Sequence, residues 1–98
     1  MPMSNGDLRG KVIGKIRGAF EVVERHSGHL YYDIYYGGKV VVTTYQSNTS
    51  PGKDIPDSIL GKIKRQLRLN SSQQLHDLKN CPMSAEDYLN LLKSKGII

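Results

Sequence analysis

At 98 residues and 11.0 kDa the chain has room for one domain and one modest core. No apolar run approaches the roughly 18 residues of a membrane-spanning helix, and residues 1–7 lack the apolar stretch of a signal peptide. A single cysteine, Cys81, excludes an intrachain disulfide and a cysteine-rich zinc site, so a reducing, cytoplasmic setting is expected.

Charge is the more informative quantity. Fourteen Lys and Arg stand against nine Asp and Glu, a net of +5 and a pI near 9.4. Residues 1–70 hold eleven bases and six acids and so carry the whole excess, while residues 71–98 hold three of each. A basic first two-thirds suits a polyanionic partner, although an ordinary solvated surface accounts for it equally.

In chain order, residues 1–7 are small and polar and read as a disordered start ahead of a single domain over residues 8–98. Residues 8–17 admit a weak helix or a strand. Val12, Ile13 and Ile16 have helical spacing, but Gly10, Gly14 and Gly18 each cost about 1 kcal/mol relative to alanine in a helix. From Phe20 to Arg25 apolar and charged residues alternate, the pattern of a half-buried strand. His26-Ser27-Gly28 supplies turn chemistry. Residues 29–36, rich in tyrosine, and 39–45, rich in valine and threonine, are strands. Gly37-Gly38 joins them as a two-residue loop open to positive φ.

That loop places Tyr36 opposite Lys39. A regular ladder then sets Ile34 against Val41, Tyr32 against Thr43 and Leu30 against Tyr45 on the packed face. His29, Tyr31, Asp33 and Tyr35, with Val40, Val42 and Thr44, fall on the other, partly wet face.

Residues 46–53 form a polar loop. A helix opens at Pro56-Asp57-Ser58 with Asp54 or Asp57 as its cap. Its stripe is Ile59, Leu60, Ile63 and Leu67, and Asn70 ends it in a left-handed conformation. Ser71-Ser72-Gln73-Gln74 is a capping box for a short helix bearing Leu75 and Leu78. Cys81, a small buried group by this reading, and Pro82 break that helix. Ser84-Ala85-Glu86-Asp87 opens the last one, with Tyr88, Leu89, Leu91 and Leu92 inward and Gly96 as its stop. The layout predicts an α+β, two-layer sandwich: a small antiparallel sheet of three or four strands with helices on one face, extended by two C-terminal helices over residues 71–98.

Candidate functional residues follow from this layout. Lys62, Arg65 and Arg68 recur at three-residue spacing beside Lys64 and form a basic band suited to phosphate contacts, which need little sequence precision. A solvated helix face has the same pattern. Lys53 precedes the helix, whose N-terminus favours anions. The rings of Tyr31, Tyr35 and Tyr45 suit base stacking or cross-strand packing. His29 suits general-base work on a ribose 2′-hydroxyl, because a histidine side chain exchanges protons near neutral pH, with Asp33 to raise its basicity if the sheet twist brings the two together. His26 and His76 read as surface residues. The three histidines lack metal-ligand spacing and no nucleotide-binding motif occurs, so neither metal nor cofactor is expected.

Taken in order, G-A-F-E-V-V-E-R, S-G-H, Y-Y-G-G-K-V-V-V-T and D-S-I-L-G-K-I-K-R-Q-L resemble the HicA/YcfA-like group of small proteins over residues 11–69. R-Q-L-R-L and the later C-P-M-S-A-E-D-Y-L-N-L-L-K-S-K-G-I-I are similar to a helical extension in archaeal relatives. The resemblance implies a core like a double-stranded RNA-binding domain over residues 8–70 and RNA as partner. Its toxin members cleave messenger RNA, with a histidine at the position of His29 and an antitoxin protein that covers the RNA face. Those members commonly read glycine-serine-histidine where this chain has Ser27-Gly28-His29, and Ser47-Asn48 stands where relatives carry serine-histidine. Two alternatives stand beside that reading. One is a non-catalytic RNA-binding module, which Asn48 favours; the other is a protein-interaction domain using the tyrosine face or a free strand edge.

Overall fold

The computed structural model describes residues 3–47, 50–80 and 82–98. The readings of Cys81 as a buried thiol and of the Ser47-Asn48 pair therefore fall outside the described residues, as do Met1, Pro2 and Thr49.

Helix α1 spans residues 5–16. It is α-helical over Asn5–Asp7 and Gly14–Ile16, with π-helical turns over Leu8–Ile13 between them. The helical option for residues 8–17 is the one realised. Leu8, Val12, Ile13 and Ile16 are fully buried, and burial of an apolar face outweighs the poor propensity of the glycines.

The expected disordered start is corrected for residues 3–7. Met3 is fully buried, and its carbonyl accepts from the Ile55 N–H at 2.8 Å. The Asn5 N–H donates to the Lys53 carbonyl at 2.9 Å. Ser4 Oγ accepts from the Asp7 N–H at 3.1 Å while the Asp7 carboxylate accepts from the Ser4 N–H at 3.2 Å. The polar residues of this segment satisfy a helix start, which composition alone does not reveal.

Strands β1 (Glu21–Ser27), β2 (His29–Tyr36) and β3 (Lys39–Gln46) form one antiparallel sheet in the order β1-β2-β3. Gly37 and Gly38 have φ of 61° and 81°, the positive values a type I′ loop demands. Tyr36 faces Lys39 and Tyr35 faces Val40 as expected, but the next pair is Ile34 with Val42. Val41 is thus the extra residue of a β-bulge. Beyond it Tyr32 faces Thr44, Tyr31 faces Tyr45 and Leu30 faces Gln46. This corrects the regular ladder, because one inserted residue inverts the face of every residue after it. Val42, Thr44 and Gln46 point into the core, and Thr43 and Tyr45 lie on the open face with Tyr31 and Asp33.

The two polar side chains turned inward are satisfied. Thr44 Oγ1 donates to Gln66 Oε1 at 2.7 Å. Tyr32 donates to Gln46 Oε1 at 2.6 Å, and Gln46 Nε2 donates to the Asn5 carbonyl at 3.2 Å. The second contact ties β3 to α1.

Three helices follow: α2 (Asp57–Gln66), α3 (Ser72–Asn80) and α4 (Ala85–Ser94). Pro56 occupies the N-cap of α2 with no side-chain cap bond, so neither Asp54 nor Asp57 plays the expected part. The pre-set φ of proline already suits entry into a helix. The left-handed residue after α2 is Arg68, at φ 64°, and not Asn70. At α3 the Gln74 N–H donates to Ser71 Oγ at 3.3 Å, while Gln74 Oε1 accepts from the Asn70 N–H at 2.7 Å. Ser84 and Asp87 form the predicted capping box of α4. The buried Tyr88 hydroxyl donates to the Leu67 carbonyl at 2.7 Å, fastening α4 to the end of α2.

The sheet's inner residues Val22, Leu30, Tyr32, Ile34 and Val42 and the helices' Ile13, Ile16, Leu60, Ile63, Leu78 and Leu92 make one core. The architecture is α+β in two layers, a three-stranded sheet with four helices. No helix among the described residues is long and apolar enough to cross a membrane.

Candidate nucleic-acid interface

The fourteen basic residues divide by what they touch. Among the described residues, five are in ion pairs. Arg9 of α1 and Arg17, the residue just past its end, both hold Glu24 of β1, at 2.9 and 3.1 Å. Lys11 and Lys79 both lie 3.5 Å from Asp7, whose carboxyl is held below the usual range first by the hydrogen bond from the Ser4 backbone. Arg25 pairs with Asp33. Arg9, Lys11 and Arg17 therefore brace the fold, while Lys15 enters no ion pair among the described residues.

The bases around α2 are arranged otherwise. Lys62, Arg65 and Arg68 enter no ion pair among the described residues. With Gln66 they form one wall of an open groove of about 500 Å³. The other wall is Val40, Val41, Val42 and Thr43. Successive residues of a strand point to opposite faces, so a wall of four consecutive ones is the strand's edge, and β3 is an edge strand. Among the described residues no carboxylate lines the groove. Arg68 reaches it from beyond the helix end, so the expected three-residue band is partly helix and partly cap. Lys64, half-buried, and Lys53, exposed, line neither this groove nor the pocket described below. The backbone of Lys53 serves instead as a partner for Asn5.

The open face of the sheet carries a connected polar and aromatic set. Arg25 grips Asp33 through Nε to Oδ2 and through Nη2 to Oδ1 at 3.1 Å, and Thr43 Oγ1 donates to the same Oδ1 at 3.0 Å. The Arg25 hydrogen bond chiefly holds the Asp33 carboxyl below its ordinary pKa, against the opposing effect of burial. The Arg25 guanidinium also sits 4.9 Å from the centre of the Tyr31 ring. Tyr31 and Tyr45 are 5.4 Å apart, and His29 lies 5.3 Å from Tyr45 and 6.3 Å from Tyr31. Asp33 is thus Arg25's partner, which removes it from the part considered for it beside His29. Arg25 was not among the sequence candidates; its alternation with Val23 opposite Asp33 and Tyr31 was the available signal.

His29 is exposed at the start of β2 and lines a small pocket of about 110 Å³ with Asn5, Tyr45, Gln46, Ser47, Ile55, Pro56 and Ile59. Tyr45 carries the other titratable side chain of that lining. Because β3 and α2 supply walls to both, groove and pocket open along one β3–α2 seam. His26 is exposed on β1. His76 is partly buried, with Nδ1 lacking a hydrogen-bond partner and its pKa lowered chiefly by burial. No group of three or more His, Cys, Asp and Glu gathers among the described residues.

The chain matches no protein-family model, no curated protein and no solved structure.

Proposed function

We propose that the chain binds RNA through the β3–α2 seam. One observation carries the reading: Lys62, Arg65 and Arg68 share a groove free of carboxylates and enter no ion pair among the described residues, while five other bases are in ion pairs. Cations left unpaired beside an open groove attract a phosphate backbone. The ring set of His29, Tyr31 and Tyr45 adds surfaces on which bases stack. The resemblance to the HicA/YcfA-like group points the same way.

The test is fluorescence anisotropy of labelled RNA over a salt series. Binding weakens steeply with salt in the wild type and is at least tenfold weaker, with a shallower salt dependence, in Lys62→Gln/Arg65→Gln/Arg68→Gln. Salt-independent binding, or a triple variant that binds like wild type, overturns the reading.

A second reading is metal-independent RNA cleavage of the toxin type. The observation favouring it is the exposed imidazole of His29 at a pocket mouth beside the Tyr45 phenol, a candidate general base next to a group able to donate a proton. It requires RNA cleavage that persists in chelator and disappears in His29→Ala. Binding without cleavage by the wild type leaves the non-catalytic module standing.

A further inference from the structure

We infer that the pocket at the His29 end of the seam receives one unpaired pyrimidine base, which makes single-stranded RNA the ligand of the groove; the second half of this inference rests on the proposed RNA-binding function.

Size comes first. An apolar cavity of about 150 Å³ encloses benzene, so a pocket of about 110 Å³ with an open mouth seats a single six-membered ring part-way and leaves no room for a fused bicyclic one. It is small for a drug-sized ligand. Its chemistry also fits a base. His29 and Tyr45 present rings inclined at 41° to one another, and Ile55, Pro56 and Ile59 add apolar surface to the same lining. A heteroaromatic ring against them gains stacking and dispersion together.

The polar member of the lining is Gln46, only 4% exposed. Its Oε1 is occupied by Tyr32 and one Nε2 hydrogen by the Asn5 carbonyl. A primary amide carries two N–H groups, and the hydrogen bonds to Tyr32 and Asn5 account for only one of them, so the Gln46 amide is the group of the lining that we assign to a base carbonyl. Pyrimidines in RNA all carry one.

Placement completes the argument. A strand rises about 3.3 Å per residue, so the Tyr45 side of the pocket lies roughly 13 Å along β3 from Val41 in the basic groove. That is the reach of a short single strand with phosphates at Lys62, Arg65 and Arg68 and a base turned into the pocket. A duplex keeps its bases stacked and paired, and yields one only at a cost in unstacking.

The test uses the full chain and two probes by NMR. Uridine, which has no phosphate, is titrated while the His29 ring and Ile59 methyl resonances are followed. Saturable shifts of both are expected, and Tyr45→Ala weakens the uridine affinity about tenfold. Ile59→Trp, which fills the pocket, serves as the second variant and abolishes the shifts. Unmoved His29 and Ile59 resonances overturn the proposal, as does uridine binding that both variants leave at wild-type strength. Shifts with toluene but not with uridine overturn it in favour of an apolar side chain of a protein partner. Inorganic polyphosphate, read at the Arg65 and Arg68 guanidinium resonances, tests the groove separately. Uridine shifts without a polyphosphate response keep the pocket and reject the groove; the converse rejects the pocket alone.

Discussion

Arg68 and Gly96 occupy the same backbone position at the ends of two different helices. After α2, Arg68 has φ 64°, the Leu69 N–H donates to the Lys64 carbonyl at 3.0 Å, and the Arg68 N–H donates to the Arg65 carbonyl at 3.1 Å. After α4, Gly96 has φ 73°, the Ile97 N–H donates to the Leu92 carbonyl at 3.0 Å, and the Gly96 N–H donates to the Lys93 carbonyl at 3.0 Å. Both are Schellman closures, whose left-handed position strongly favours glycine. One helix has it; the other has an arginine that lines the groove.

A side chain in the left-handed region costs about 1–2 kcal/mol, and such strain concentrates where function holds it in place. Arg68→Gly is therefore expected to raise stability by about 1 kcal/mol, or roughly 4–8 °C in Tm for a domain of this size, and to weaken RNA binding. Gly96→Ala lowers stability by about 1 kcal/mol and leaves RNA binding unchanged. Thermal melts and anisotropy on the two variants check both halves. An Arg68→Gly variant no more stable than wild type contradicts the strain assigned to this position.

Each phosphate neutralised on a single strand contributes about 0.7 to the slope of log affinity against log salt. Removing Lys62, Arg65 and Arg68 together is expected to lower that slope by about 2. Arg9→Gln or Arg17→Gln leaves the slope unchanged, because both guanidiniums are held against Glu24 and line neither groove nor pocket of the β3–α2 seam. A salt series on the three proteins decides it.

Asp33 ties β2 to Arg25 of β1 and Thr43 of β3. Its carboxyl titrates below the ordinary value of about 3.9 because Arg25 hydrogen-bonds the charged form. A depressed carboxylate contributes stability in full above its unfolded pKa and loses it as pH falls through the folded one. Asp33→Asn is expected to cost about 1–3 kcal/mol at neutral pH, with the gap to wild type closing in acid. Urea midpoints measured from pH 7 down to about pH 2.5 test the sign; a gap that stays constant across that range refutes it.

The bulge makes an unusual prediction about deletions. Val41 is the unpaired residue between Val40 and Val42, so deleting it keeps Tyr32 opposite Thr44 and Tyr31 opposite Tyr45. Inserting an alanine between Thr43 and Thr44 instead displaces Thr44, Tyr45 and Gln46 by one further residue and turns them to the opposite faces. The Val41 deletion is expected to fold at a cost of about 1–3 kcal/mol for lost packing, and the insertion to lose the Tyr31–Tyr45 pairing. Circular dichroism and cross-strand NOEs between Tyr31 and Tyr45 distinguish the outcomes.

The parts of this protein legible in its sequence are those decided within about four residues of one another. Gly37-Gly38 specifies its own turn, Ser84 and Asp87 specify their own cap, and Leu60 and Ile63 mark one face of α2. The same holds for the basic band, whose members are neighbours in the chain. Tertiary structure decided the rest. The side of the sheet on which Tyr45 lies depends on one bulged residue, for which the valine run of β3 offers three equivalent places. The burial of Met3 depends on Ile55, far along the chain. Which bases brace the fold and which face a groove depends on whether a carboxylate arrives from another element, as Glu24 does for Arg9 and Arg17 and as none among the described residues does for Lys62, Arg65 and Arg68. Local chemistry sets what each short segment can be. Only the packing of distant segments leaves these three cations outside any ion pair among the described residues, because charge compensation depends on distance in space and not along the chain.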